Sequence, residues 1–204
     1  MHHVGNKDFF DDVAHKIDSL QKLDYTVFYE STRDDKETDS LIKETNGLKL
    51  RKLMGFFPGK YLDTAKNVIA GKIKYKEKHK LIEQPNYNKL NVDSLTSIKA
   101  DVSLSELISE FEKKHTEIKL DSCDFKFSLE DKNYKCKKAN KSLQKIFNKD
   151  YIKDYRNKYL AKKIINSKKN KILVIYGNAH YYGLSMELYL LGNIRGNQDN
   201  RYEI

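Results

Sequence analysis

The sequence has no tryptophan, only two prolines and only two cysteines among 204 residues. Two prolines and nine glycines exclude a collagen-like or proline-rich architecture. Cys123 and Cys136 are too few for a disulfide framework, and no Cys-x-x-Cys pair is present to make a thiolate zinc site or a thioredoxin-type motif. Both read as free, non-catalytic thiols. No apolar run approaches the roughly 20 residues that span a bilayer, and no secretory signal opens the chain as written. What is present is a polar chain with 14 Tyr and 9 Phe, enough to anchor the core of one domain over residues 1–204.

Charge is unevenly spread. Lys and Arg number 39 against 29 Asp and Glu, for a net charge of +10. The stretch from Lys132 to Lys171 alone holds 15 basic and 2 acidic residues, so the rest of the chain is slightly acidic. Only five of the basic residues are Arg. Phosphate clamps favour the Arg fork, whereas a Lys-dominated face mostly confers solubility. A solvated face is therefore expected, with no specific nucleic-acid site; binding of anionic surfaces by this stretch is the alternative.

Periodicity predicts a helix over Phe9 to Leu23, on Phe9, Val13, Ile17 and Leu20. Tyr25 to Tyr29 reads as a strand ending at Glu30. A helix over Glu37 to Met54 is expected to break near Asn46-Gly47, before a turn at Gly55 to Gly59. Short extended pieces are expected at Lys80 to Gln84 and Ser97 to Val102. Ser103 with Glu106 forms a capping box opening a helix over Leu104 to Lys114. Lys141 to Asn166 carries a long apolar stripe. Lys171 to Tyr176 is an apolar run of strand length, typical of parallel strands buried on both faces. A turn over Gly177 to His180 leads into a helix over Tyr181 to Leu191, closed by Gly192. The order predicts an α/β fold: a mostly parallel central sheet flanked by helices, with a helical or irregular insertion over about 60–140.

In open α/β sheets, ligands gather outside the carboxyl ends of strands. His180 and Glu30 stand at such ends, and His3 would stand at a third if a strand preceded it. Two imidazoles and a carboxylate on neighbouring strand ends can hold a divalent metal, or act as an acid–base pair without one. Asn178 and Tyr181 flank His180 and are further pocket candidates. His15, His79 and His115 stand beside lysines and read as surface residues.

At these residues the chain resembles the TraB/PrgY/GumN/TIKI superfamily, distantly related to erythromycin esterases and the haem-binding ChaN proteins. The family's second G-x-x-H-like motif is similar to Gly177-Asn-Ala-His180, including the preceding apolar strand and the following Gly183-Leu184. Its first motif, Met-x-His-x-Gly in some members, is similar to Met1, His3 and Gly5. Its strand-end acid falls on Glu30, its Arg-Asn pair on Arg156-Asn157, and a further segment on Ala100 to Leu104, which brings in Asp101. The strand that precedes the family's first motif has no counterpart here.

The resemblance implies a hydrolase, with a metal-dependent peptidase as one form. His3, Glu30 and His180 would hold Mn²⁺, Co²⁺ or Zn²⁺, or Glu30 would act as general base. Arg156 would steady Glu30 or a developing anion. A peptide or small molecule would be the substrate. The alternative is a non-catalytic relative that captures a peptide, a pheromone-like ligand or haem. The chain as written reads as cytoplasmic, or as an envelope or exported protein if a segment precedes Met1.

Overall fold

A computed structural model describes residues 1–57, 61–69, 73–131 and 134–192. The protein is mixed α/β, with three small sheets, one of them parallel, and five helices among the described residues. The parallel sheet is made of β2 (Thr26–Tyr29), β7 (Ile98–Lys99) and β8 (Ile172–Ile175), in the order β7-β2-β8. Thr26 lies opposite Ile172 and Tyr29 opposite Ile175, so β2 and β8 end side by side. β1 (Val4–Gly5) pairs antiparallel with β6 (Ile82–Glu83). β3 (Leu62–Asp63), β4 (Val68–Ile69) and β5 (Ile73–Lys74) form an antiparallel meander.

Alternation along β2 sends neighbouring side chains to opposite faces. Val27 packs with Phe10 and Ile17 of α1 (Lys7–Gln21) and with Leu90 and Val92. Phe28 packs against Leu160 and Ala161 of the long helix α4 (residues 141–166) and Leu184 of α5 (Tyr181–Gly192). The middle of α4, Phe147–Tyr155, is wound as a π-helix that ends directly before Arg156. Its lysines Lys141, Lys145, Lys149, Lys153, Lys158 and Lys162 are exposed.

Three expectations are corrected. The helix α2 (Ser40–Met54) runs unbroken through Asn46-Gly47, capped by Asp39 and closed by Gly55 at φ 79°. Tertiary packing overrides the weak helix propensity of this pair: Asn46 Nδ2 donates to Ser105 Oγ at 3.0 Å, and a Cβ at Gly47 would run into Leu129. In β8, Ile172, Leu173 and Val174 are only half-buried, because this strand lies at the edge of its sheet. β7, within the short extended piece expected over Ser97 to Val102, supplies the opposite edge. Of the expected turn at Gly55 to Gly59, Pro58 and Gly59 lie outside the described residues. No helix among those residues is long and apolar enough to cross a membrane.

The third correction concerns the thiols: Cys123 and Cys136 form a disulfide, across a sequence separation of 13. The loop it closes grips α2 from behind. Arg51, 1% exposed, donates to the carbonyls of Asp124, Phe127 and Ser128, while Tyr134 lies over its guanidinium at 4.1 Å. Lys52 Nζ reaches Asp124 at 2.5 Å and Asp121 at 2.9 Å. In the chain-entropy account, a loop of this size restricts the unfolded chain by about 3 kcal/mol. Reduction is expected to lower the melting temperature by about 6–12 °C for a chain of this length. Thermal melts with and without reductant, and of a Cys123→Ser/Cys136→Ser variant, measure it. An unchanged melt would mean that the Arg51 and Lys52 contacts suffice alone.

Candidate functional site

Glu30 leaves the end of β2 and Gly177 follows the end of β8, so the register of these strands brings them together. The Gly177 N–H donates to Glu30 Oε2 at 2.6 Å. A single turn of 3₁₀-helix, Asn178–His180, then turns the chain inward and buries His180. His3 arrives differently from expectation: it precedes β1, which pairs with β6 and not with the parallel sheet. Its exposed ring stacks on Tyr61 with centroids 4.7 Å apart and planes 2° from parallel.

Gly177 marks where the three groups meet. A Cβ built there would lie 3.3 Å from Glu30 Oε2, 3.7 Å from His180 Cδ2 and 3.8 Å from His3 Nε2. A side chain would occupy the space these groups share. Gly183 has a different reason: a Cβ there would overlap Asn157 Nδ2, so only glycine lets α5 seat against α4.

Arg156 ties the site together. Its Nε and Nη2 grip Asp101 in a fork, at 2.9 and 2.6 Å, and Nη2 also donates to Glu30 Oε1 at 2.6 Å. Asp101 also accepts from the Val102 N–H. The side chains of Arg156 and Asp101 are 6% and 0% exposed, and that of Glu30 is 14%. Among the described residues Nη1 has long contacts, 3.4 Å to Ile152 O and 3.4 Å to His180 Nε2. A guanidinium can only donate, so Nε2 presents its lone pair and the imidazole proton sits on Nδ1. Nδ1 then donates to Asn157 Oδ1 at 2.8 Å, which fixes the ring.

Electrostatics agree with this assignment. Burial would raise the Glu30 pKa, but Arg156 and the Gly177 N–H more than offset it, so the carboxyl is held below its ordinary value and is ionised. Burial, then the Arg156 charge, push the His180 pKa below its ordinary value despite Glu30 and Asp101, so the imidazole is neutral at pH 7. Arg156, its desolvation outweighed by Asp101 and Glu30, stays charged.

An open cleft of about 1170 Å³ lies over the site, lined by His3, Glu30, Tyr61, Arg156, Asn178 and His180 among others. Two expected pocket residues do not line it. Asp101 lies behind Arg156, and Tyr181 is more than half exposed, edge-on to Tyr182. His15, His79 and His115 are exposed, as expected. The sequence reading did not single out Tyr61, which lies in a segment without periodicity. It also missed Tyr87, whose hydroxyl donates to Glu30 O at 2.7 Å. Comparison with protein-family models, with curated proteins and with solved structures finds no match to this chain.

Proposed function

We propose that the protein is a hydrolase of the TraB/TIKI type, acting on an ester or peptide bond in the cleft above Gly177. The convergence of His3, Glu30 and His180 on Gly177 carries this reading. It takes the parallel sheet as the centre of an α/β domain, with the site outside the carboxyl ends of β2 and β8. A neutral His180, with its lone pair on Nε2, is suited to take a proton from water as that water attacks the acyl carbon. It then returns the proton to the leaving group. Asn157 keeps the ring in the required tautomer. Glu30 Oε1, 4.0 Å from Nε2, favours the imidazolium that forms. Nη1 of Arg156, held by two long contacts at 3.4 Å, is the donor that can shift to the developing oxyanion, which also frees the Nε2 lone pair for the water proton.

The donor set does not fit a metal ion as it stands. Both oxygens of Glu30 are engaged, and Nε2 of His180 faces a guanidinium, whose charge opposes a second cation. Among the described residues no group of three His, Cys, Asp or Glu is placed to hold one. Ligation of haem iron by His180 would have to break the same contact. We therefore favour the metal-free form.

The test is turnover of p-nitrophenyl esters and fluorogenic peptides by the wild type, by His180→Ala and by Glu30→Gln. Turnover by the wild type, reduced at least about a hundredfold in His180→Ala, is the expected result. Wild-type inactivity toward both substrate sets would sink the hydrolase reading in favour of ligand capture. Calorimetry with Mn²⁺, Co²⁺ and Zn²⁺ decides the metal: tight one-to-one binding lost in His3→Ala, Glu30→Gln and His180→Ala would overturn the metal-free form.

A further inference from the structure

The cleft lining mixes chemistries. Gln84, Asn86, Asn88, Ser94 and Ser97 line it together with Pro85, Tyr87 and Val92. Three helices add a further apolar set: Leu50 and Met54 of α2, Leu104 and Leu107 of α3 (Leu104–Lys114), and Ile152 of α4. These five belong to one hydrophobic cluster, whose buried part includes Leu53, Val102, Phe111 and Phe147. Leu50 and Leu107 are buried; Met54, Leu104 and Ile152 are half-buried and form the accessible part of this apolar wall. The cleft thus opens directly onto the edge of a core.

This edge adjoins the reactive groups. Ile152 lies one helical turn before Arg156, and Arg156 Nη1 reaches its carbonyl. Residues four apart on a helix share a face. The Leu104 N–H donates to Thr32 O at 2.8 Å, which holds the start of α3 against the chain leaving β2 just after Glu30. An apolar group resting on this wall therefore sits next to Arg156 Nη1, where the oxyanion of a hydrolysed bond would be received.

We infer that the substrate carries a bulky apolar group, an acyl chain or an aliphatic or aromatic side chain, directly beside the bond to be cleaved, seated against Leu50, Met54, Leu104, Leu107 and Ile152. The inference rests on the hydrolase reading for the word cleaved, but the wall itself is tested separately. Polar groups elsewhere in the lining take the remainder of the substrate. Burying a methylene is worth about 0.8 kcal/mol, or about fourfold in affinity or in kcat/KM.

The experiment uses p-nitrophenyl acetate, butyrate and octanoate for turnover, and calorimetry with acetate, hexanoate and octanoate for binding. Each is run on the wild type, Leu104→Gln and Met54→Gln. Those two positions are half-buried, so the variants are expected to fold, and circular dichroism checks it. Turnover and binding that rise up to about fourfold per methylene, and flatten in both variants, are the expected result. Turnover that is independent of chain length overturns the apolar subsite and leaves the hydrolase standing. Chain-length-dependent binding without turnover, lost in Leu104→Gln, supports the subsite and overturns the hydrolase. Neither turnover nor binding overturns both.

Discussion

Replacing Arg156 with Met is expected to lower the unfolding free energy by about 3–5 kcal/mol at pH 7, as measured by urea denaturation. The cost comes less from lost attraction than from what stays behind. Asp101 is wholly shielded and Glu30 nearly so, and Nη2 of one guanidinium stands between them at 2.6 Å from each. Removing it leaves two carboxylates close together in a medium that solvates neither. One must take up a proton, so the loss is expected to shrink as the pH is lowered. Arg156→Lys should recover only part of the loss: an ammonium lacks the planar fork that bridges Asp101 and Glu30 at once. Adding Glu30→Gln to Arg156→Met should restore more than one kcal/mol by removing one stranded charge, about the coupling expected of residues in one network. A loss below about 1 kcal/mol in Arg156→Met would mean that water reaches these carboxylates freely and that the network does not hold the site.

The parts of this site that could be read from the sequence are those set by local pattern. An apolar run ending in Gly-x-x-His marks a strand end, and a β-branched and aromatic run ending in Glu30 marks another. Their meeting follows once the two strands pair in parallel. The apolar stripe around Arg156 located its helix, and Ser103 with Glu106 located the start of α3. Illegible were the features decided by contacts between distant segments. Asp101 looks like a turn residue ahead of a helix, and nothing local reveals an Arg 55 residues on that needs a counter-ion. Asn46-Gly47 reads as a helix break because the packing of Leu129 and Ser105 against it is invisible in sequence. A spacing of 13 between two cysteines in an irregular segment is equally compatible with free thiols and with a bridge. The π-helical stretch leaves no mark either, since Tyr151, Tyr155 and Tyr159 keep a spacing of four in either winding.

Stability and activity are both expected to fall on acidification, in two steps governed by different groups. His180 has a folded pKa below its ordinary value of 6.5, so the unfolded chain binds its proton more readily than the folded one. Its contribution is therefore complete above about pH 6.5 and is lost as the pH falls toward the folded value. Glu30, lowered from an ordinary 4.5, acts in the same direction over a lower range: its contribution is present above that value and is lost as the pH falls below it. Melting temperature plotted against pH should decline below 6.5 and decline again below 4.5. His180→Gln should diminish the upper step and spare the lower; Glu30→Gln should diminish the lower, to which Asp35, Asp93, Glu110 and Asp121, also held below their ordinary values, contribute as well. If His180 is the base, kcat/KM should fall on the acid side with an apparent pKa below 6.5, as protonation fills the lone pair on Nε2. That limb should move upward in Arg156→Met, if the variant retains its fold, because the cation that disfavours the imidazolium is gone. An acid limb unmoved by the loss of Arg156 would assign the titrating base elsewhere, with His3, across Gly177 from His180, the next group to replace.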